Sequence, residues 1–256
     1  MLITALATPL SEENHLDMKS FHRLLQHQKK GGIDGVIVAG TTGQGSLLSL
    51  QEKGQLLQAT LDYPFNRGLC ISDVSIARVF DNMEIAAKHG AQFLLVTPPF
   101  FVKPTQEAIY QFFQKILDQS SCPVILYNNP SRIGVGIDNG VYSALKGHPR
   151  LWGTKESAGK ESLAGIEIPV FCGDDENIES YKQQGAVGAI SVISNLFVNL
   201  AIKTVPVHAV NPLPIQYLLQ LAKIFTFSHL RQEIGSLTSA QQKIIEDLWV
   251  ESMSAF

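Results

Sequence analysis

Cysteine is scarce: Cys70, Cys122 and Cys172 are the whole complement of 256 residues. Scattered thiols in that number build neither a disulfide framework nor a zinc cluster. They suit a reducing cytosol, each as a small buried apolar group. Basic charge is not in excess either. Twenty Lys and Arg stand against 23 Asp and Glu, a net charge of −3, which leaves no electrostatic footprint for nucleic acid. Long apolar runs are missing. A long uncharged stretch, 185–202, is interrupted by Ser191, Ser194, Asn195 and Asn199 and is too polar for a membrane span. The first ten residues carry no basic group before Lys19, and Pro9 interrupts them, so no signal peptide is expected. With 45% hydrophobic and 17% charged residues the chain is not disordered. It reads as soluble and cytoplasmic, with no nucleic-acid or membrane partner.

What is present is a repeating alternation. Short apolar runs rich in Val, Ile and Leu fall at 3–7, 35–39, 69–72, 93–97, 124–128, 151–155, 170–172 and 188–192. Most are uniformly apolar, as strands of a parallel sheet covered on both faces are. Helix signals lie between them. Asp17 is a candidate N-cap for a stripe of Phe21, Leu24 and Leu25 that ends at Gly31. Ser49-Leu-Gln-Glu52 has capping-box spacing. Ile109, Phe112, Phe113, Ile116 and Leu117 recur at i, i+3, i+4, i+7 and i+8. Gly90, Gly147 and Gly185 close further helices, and Thr238 with Gln241 opens a last one.

Eight such alternations in a chain of this length predict an α/β fold, a (β/α)8 TIM barrel. An open doubly wound sheet would often show a Gly-rich dinucleotide fingerprint after its first strand, and none is found. No Pro/Gly/Ser-rich linker divides the chain. One domain is expected over 1–256, with short C-terminal helices in 215–256. The stretch 157–168 barely allows a short helix, and 194–203 is a poor helix former, so some barrel helices should be shortened.

In such barrels chemistry sits at the C-terminal ends of the strands. Those ends read Gly40-Thr41-Thr42-Gly43, Tyr127-Asn128, Lys155-Glu156 and Gly173-Asp174-Asp175. Lys155 closes an apolar run, so its amine should point into the barrel. Burial disfavours the charged form of a lysine, and a neutral amine attacks ketones. The alternative is an ordinary strand-end lysine paired with Glu156. Tyr127 could pass protons or merely pack its ring. The Gly40–Ser46 loop lacks a Walker lysine. It is either a carboxylate site made of hydroxyls and amides or a plain turn. Gly173-Asp-Asp-Glu176, with Glu179 nearby, invites a metal, but Asp174 or Asp175 as cap of a helix over 177–184 is preferred. The seven histidines form no ligand pair, so no metal site is expected.

Together these ends resemble the dihydrodipicolinate synthase / N-acetylneuraminate lyase family of class I aldolases. The resemblance spans nearly the whole chain: Ala7-Thr-Pro-Leu10, Gly40-Thr-Thr-Gly43, Pro99 and Pro104, Tyr127-Asn-Asn-Pro-Ser-Arg132, Gly153-Thr-Lys-Glu156, Gly173-Asp-Asp175, Ala189-Ile-Ser191 and Asn211-Pro-Leu-Pro214. It implies that Lys155 forms an imine with pyruvate and that Tyr127 shuttles protons in a relay with Thr41. It gives the pyruvate carboxylate to Thr42 and lines the pyruvate pocket with the backbones at Gly173 and Ile190. Arg132 implies the synthase branch, since its planar fork suits the carboxylate of aspartate semialdehyde. The implied product is 4-hydroxy-tetrahydrodipicolinate, on the route to diaminopimelate and lysine. No cofactor is needed, because the lysine supplies the electron sink, and a homo-oligomer (dimer or tetramer) is expected. The alternatives are another pyruvate-dependent aldolase acting on a sugar acid, or a weakly active or non-catalytic paralogue.

The chain departs from the family pattern in places. The relay tyrosine that a neighbouring subunit would lend is replaced by Phe101, with Phe100 beside it. At the cleft where family members bind inhibitory lysine, Leu50, Lys53, Val74, Arg78 and Phe100 stand at the contact positions. Lys53 and Arg78 are expected to repel that cation.

Overall fold

The apolar runs form eight parallel strands: β1 (Leu2–Ala5), β2 (Gly35–Val38), β3 (Asn66–Cys70), β4 (Phe93–Val96), β5 (Val124–Asn128), β6 (Leu151–Glu156), β7 (Val170–Cys172) and β8 (Gly188–Ser191). In the computed structural model, which describes residues 1–159, 163–199, 204–231 and 234–254, they pair in chain order. β8 returns to β1, closing the barrel. Eight parallel strands joined by crossovers close in this way to form a TIM barrel.

The helices are α1 (Met18–Gly31), α2 (Leu50–Ala59), α3 (Ile76–Lys88), α4 (Gln106–Gln119), α5 (Pro130–Ile133), α6 (Asn139–Leu145), α7 (Ile178–Gln183), α8 (Leu213–Leu221) and α9 (Ser239–Ser254). Their ends follow local rules. Asp17 accepts from the Ser20 amide at the start of α1. That helix runs one residue past its expected end, and Gly32 takes the left-handed cap at φ 70°, a conformation that favours glycine. Ser49 and Glu52 form the reciprocal capping box of α2, and Thr238 and Gln241 bond reciprocally at the start of α9. The stripe of α4 is wholly buried.

Two apolar layers result. Val36, Val38, Leu94, Val96, Leu126 and their neighbours face the helices. Ile3, Ala5, Ile37, Leu95, Ile125 and Ile190 fill the barrel interior. Trp152 stacks edge-on between Phe93 and Phe171, with centroids 5.2 and 5.5 Å away. Gly68 makes room for Phe93, whose ring carbon lies 2.4 Å from where a Cβ would sit.

Of the two thin connections, the first holds no helix in its described residues: 157–159 and 163–169 are bends, turns and coil. The short helix that 157–168 barely allowed is not seen there. The second opens with a single 3-10 turn, Ile193–Asn195, and its residues 200–203 lie outside the described residues. α8 packs against α9 beyond it.

Candidate active site

Lys155 faces the barrel interior because of an irregularity in β6. The register against β5 jumps from Val124↔Leu151 to Ile125↔Gly153, so Trp152 has no partner. An extra residue of this kind inverts the alternation of everything after it. Tyr127 and Lys155 then share the inner face, and Asn128 and Glu156 the outer one. Lys155 is only 4% exposed. Its Nζ lies over the Tyr127 ring, and its Cε crosses Gly173 so closely that a Cβ there would stand 2.8 Å away.

The alternative pairing of Lys155 with Glu156 is not what forms. Glu156 points outward and takes two 2.9 Å bonds from Asn128 Nδ2 and one of 3.0 Å from the Ala158 amide.

Above Lys155 opens a cavity of about 500 Å³, lined among others by Thr41, Thr42, Tyr127, Arg132 and Gly173. The structure thus brings six of the seven expected residues to one cavity. The seventh, Ile190, is fully buried in the interior cluster with Ala5 and Ile37, which do line the cavity. A smaller recess of about 210 Å³ shares Thr41, Tyr127, Asn129 and Arg132 with the first and adds Ser72, Thr97 and Phe100.

The Gly40–Ser46 loop is a built turn. Ala39 and Gln44 have φ of 59° and 54°, and a Cβ on Gly45 would sit 1.7 Å from the Ala39 carbonyl oxygen. Only glycine permits that approach. Thr42 is buried, and its Oγ1 accepts from Asn211 Nδ2 at 3.1 Å. Its own proton is therefore available to a ligand in the cavity. Arg132 stands exposed at the rim on α5.

Neither side chain of the acidic pair caps a helix by a hydrogen bond, contrary to expectation. Asp175 instead crosses to the end of β8, where its Oδ2 accepts from the amides of Val192 and Ile193 at 3.0 and 2.9 Å. Two amides converging on one carboxylate outcompete a local cap. Asp174 lines the cavity beside Lys155. Burial pushes its carboxyl above the usual range, and the lysine charge opposes this.

Lys53 also departs from expectation. It is 6% exposed and donates to Asn82 Oδ1 at 2.8 Å. Burial lowers its pKa, while Cys70 and Asp73 act in the other direction. The expected repulsion of a cation therefore rests on exposed Arg78. Phe101 is 89% exposed at φ 73°, and Phe100 lines the recess. Among the described residues no three His, Cys, Asp or Glu gather as a metal site, and no helix is long and apolar enough to cross a membrane.

Sequence reasoning gave no separate role to Asn129 and Asn211. Asn129 was legible as an N-cap from the Asn-Pro step that opens α5. Asn211 carries no local signal of its reach to Thr42.

Comparison with known proteins gives the family. Residues 1–205 match the model of the Dihydrodipicolinate synthetase family. The 4-hydroxy-tetrahydrodipicolinate synthase of an Exiguobacterium species is 34% identical over 204 residues, 76% of this chain and 70% of that protein. The enzyme of the same name from Xanthomonas campestris is 35% identical over 204 residues, 76% of this chain and 68% of that one. Among solved structures, the 4-hydroxy-tetrahydrodipicolinate synthase of Methylacidiphilum fumariolicum superposes with a TM-score of 0.90 at 25% identity, covering 99% of this chain and 95% of the other. The dihydrodipicolinate synthase of Thermotoga maritima shares the fold at a TM-score of 0.91 and 23% identity, over 98% of each chain. The chain belongs to the dihydrodipicolinate synthetase family.

Proposed function

We propose that this protein condenses pyruvate with aspartate 4-semialdehyde to give 4-hydroxy-tetrahydrodipicolinate, the lyase activity that its curated relatives are named for. The observation that carries the reading is one buried amine, Lys155, at the base of a cavity with a tyrosine against it and a hydroxyl-bearing turn above it. The amine attacks the keto carbon of pyruvate, and loss of water gives the imine. Loss of a methyl proton gives the enamine, which attacks the aldehyde carbon. The amine of the second substrate then displaces Lys155 and closes the ring. The protonated imine on Lys155 is the electron sink, so the reaction calls for no cofactor.

Tyr127 carries the protons, with Thr41 as its relay partner. Thr42 holds the pyruvate carboxylate. The absence of a side chain at Gly173 leaves room for the lysine stem, and Ile190 packs in the interior cluster beside Ala5 and Ile37, which line the cavity. Arg132, at the rim and shared by both cavities, takes the carboxylate of the aldehyde. One domain over 1–256 carries the reaction in the cytoplasm, as a homo-oligomer, dimer or tetramer.

Borohydride reduction in the presence of pyruvate tests the reading. One pyruvate-derived mass per chain is expected, at Lys155 on peptide mapping. Label that persists in Lys155→Ala refutes the assignment. Turnover of keto sugar acids in preference to aspartate semialdehyde would move the chain to the sugar-acid branch.

A further inference from the structure

We infer that Asn129 positions the Tyr127 hydroxyl for proton transfer to and from the Lys155 adduct, and does so from within the same chain. The inference rests on the reading of Lys155 and Tyr127 given under Proposed function.

Asn129 is 7% exposed and sits at the N-cap of α5. Its amide orientation is dictated by its neighbours. Oδ1 accepts from Ser131 Oγ at 2.8 Å and from the Arg132 amide at 3.2 Å. The Arg132 N–H can only donate, so Oδ1 must face it and Nδ2 is turned the other way. There it donates to Tyr127 Oη at 2.9 Å. The phenol oxygen thus accepts from a group that cannot take its proton. Its own O–H must find an acceptor elsewhere, and Tyr127 lines both the cavity that holds Lys155 and the recess beside it.

This matters because Phe100 and Phe101, at the tip of the loop after β4, carry no hydroxyl. Phe101 projects into solvent and Phe100 offers only a ring. The amide of Asn129 is therefore the directing group, held by the cap of a one-turn helix.

The chemistry uses it at a definite moment. When the carbinolamine dehydrates, the Lys155 nitrogen pair forms the C=N bond and the C–O bond breaks. The leaving hydroxide takes the Tyr127 proton and departs as water. The phenolate left behind is stabilised by the Asn129 N–H, since a hydrogen bond to a charged acceptor is stronger than one to a neutral acceptor. It recovers a proton from the pyruvate methyl group as the enamine forms.

The test uses Asn129→Ser and Asn129→Asp in the full chain. Both keep an oxygen at the N-cap, so α5 and the melting temperature should be retained. Neither presents an N–H to Tyr127. The rate of borohydride-trappable imine formation should fall about tenfold or more, a part of the roughly 100- to 10,000-fold that acid–base catalysis supplies, with the KM for pyruvate little changed. In a Tyr127→Phe background Asn129→Ser should cost nothing further, because the group it directs is gone. Parent-like rates in both variants overturn the inference. So does an equal loss with and without the Tyr127 hydroxyl, or a loss in Asn129→Asp alone, which marks added charge as the cause. If the parent itself is never trapped by pyruvate, the reading of Lys155 fails instead, and the two failures are distinguished.

Discussion

Tyr127 and Lys155 are direct partners across β5 and β6, and the lysine Nζ lies 4.4 Å from the centroid of the tyrosine ring. A backbone register thus sets the distance between amine and phenol. Neither group sits on a loop, and a site built on strands is held more closely than one built on connections.

Gly173→Ala tests how tightly the amine is held. The new Cβ would stand 2.0 Å from Ser157 Oγ, 2.8 Å from Lys155 Cε and 3.0 Å from the Glu156 carbonyl oxygen. The serine can rotate away, but the backbone oxygen cannot. Lys155 is displaced, and a displacement near 1 Å costs about 100-fold in rate. Single-turnover imine trapping should show that loss, and a parent-like rate would mean that Lys155 is not held by this contact.

Arg132→Ala should separate the two substrates. Losing a charge-assisted contact costs about 2–3 kcal/mol, or about 30- to 150-fold in kcat/KM for aspartate semialdehyde. Pyruvate trapping should be untouched, because Arg132 stands at the rim. Steady-state kinetics beside the trapping assay reads both, and an unchanged kcat/KM removes the case for the synthase branch.

Acid stability should depend on Arg231. Its guanidinium donates to both carboxylate oxygens of Glu52 and holds that carboxyl down to about 2, from an ordinary 4.5. In the window between those values the unfolded chain binds more protons than the folded one. The stability is therefore present above about pH 4.5 and lost as pH falls toward 2. Both side chains are partly solvated, so screening leaves about 1–2 kcal/mol at neutral pH. Melting temperature against pH for the parent and Arg231→Met should converge at the acid end. Parallel curves would place the contribution elsewhere.

Free lysine at millimolar concentration should neither inhibit the protein nor bind to it. Where family members would meet the ligand with polar groups, Leu50 and Val74 present apolar surface and Arg78 a like charge. Calorimetry and a kinetic titration check this, and sub-millimolar binding would contradict it.

Much of the barrel was legible because its signals are local. Uniformly apolar runs mark strands buried on both faces, and the Ser49 and Thr238 boxes are written within four residues. The inward aim of Lys155 was read correctly, but its cause was hidden: the unpaired Trp152 appears only once β6 is laid against β5. Asp175 was misread because capping is a near-neighbour rule. Its actual partners, Val192 and Ile193, lie 17 and 18 residues away. Lys53 was misread because a helix position does not say whether the long side chain finds an interior acceptor, here Asn82 on α3.

The seam between β1 and β8 carries a consequence for biosynthesis. Leu2 pairs with Ala189 and Thr4 with Ser191, while Asn195 is bonded to the carbonyl of Ala5 and the amide of Ala7. On a ribosome the first strand emerges nearly the whole barrel ahead of its second neighbour. At about 5–20 residues per second that wait is about 10–40 s. Throughout it, one side of β1 carries unsatisfied amides and carbonyls, a ready template for another chain. Nascent chains halted before β8 should therefore be the aggregation-prone species, and the finished ring, which has no edge, should not.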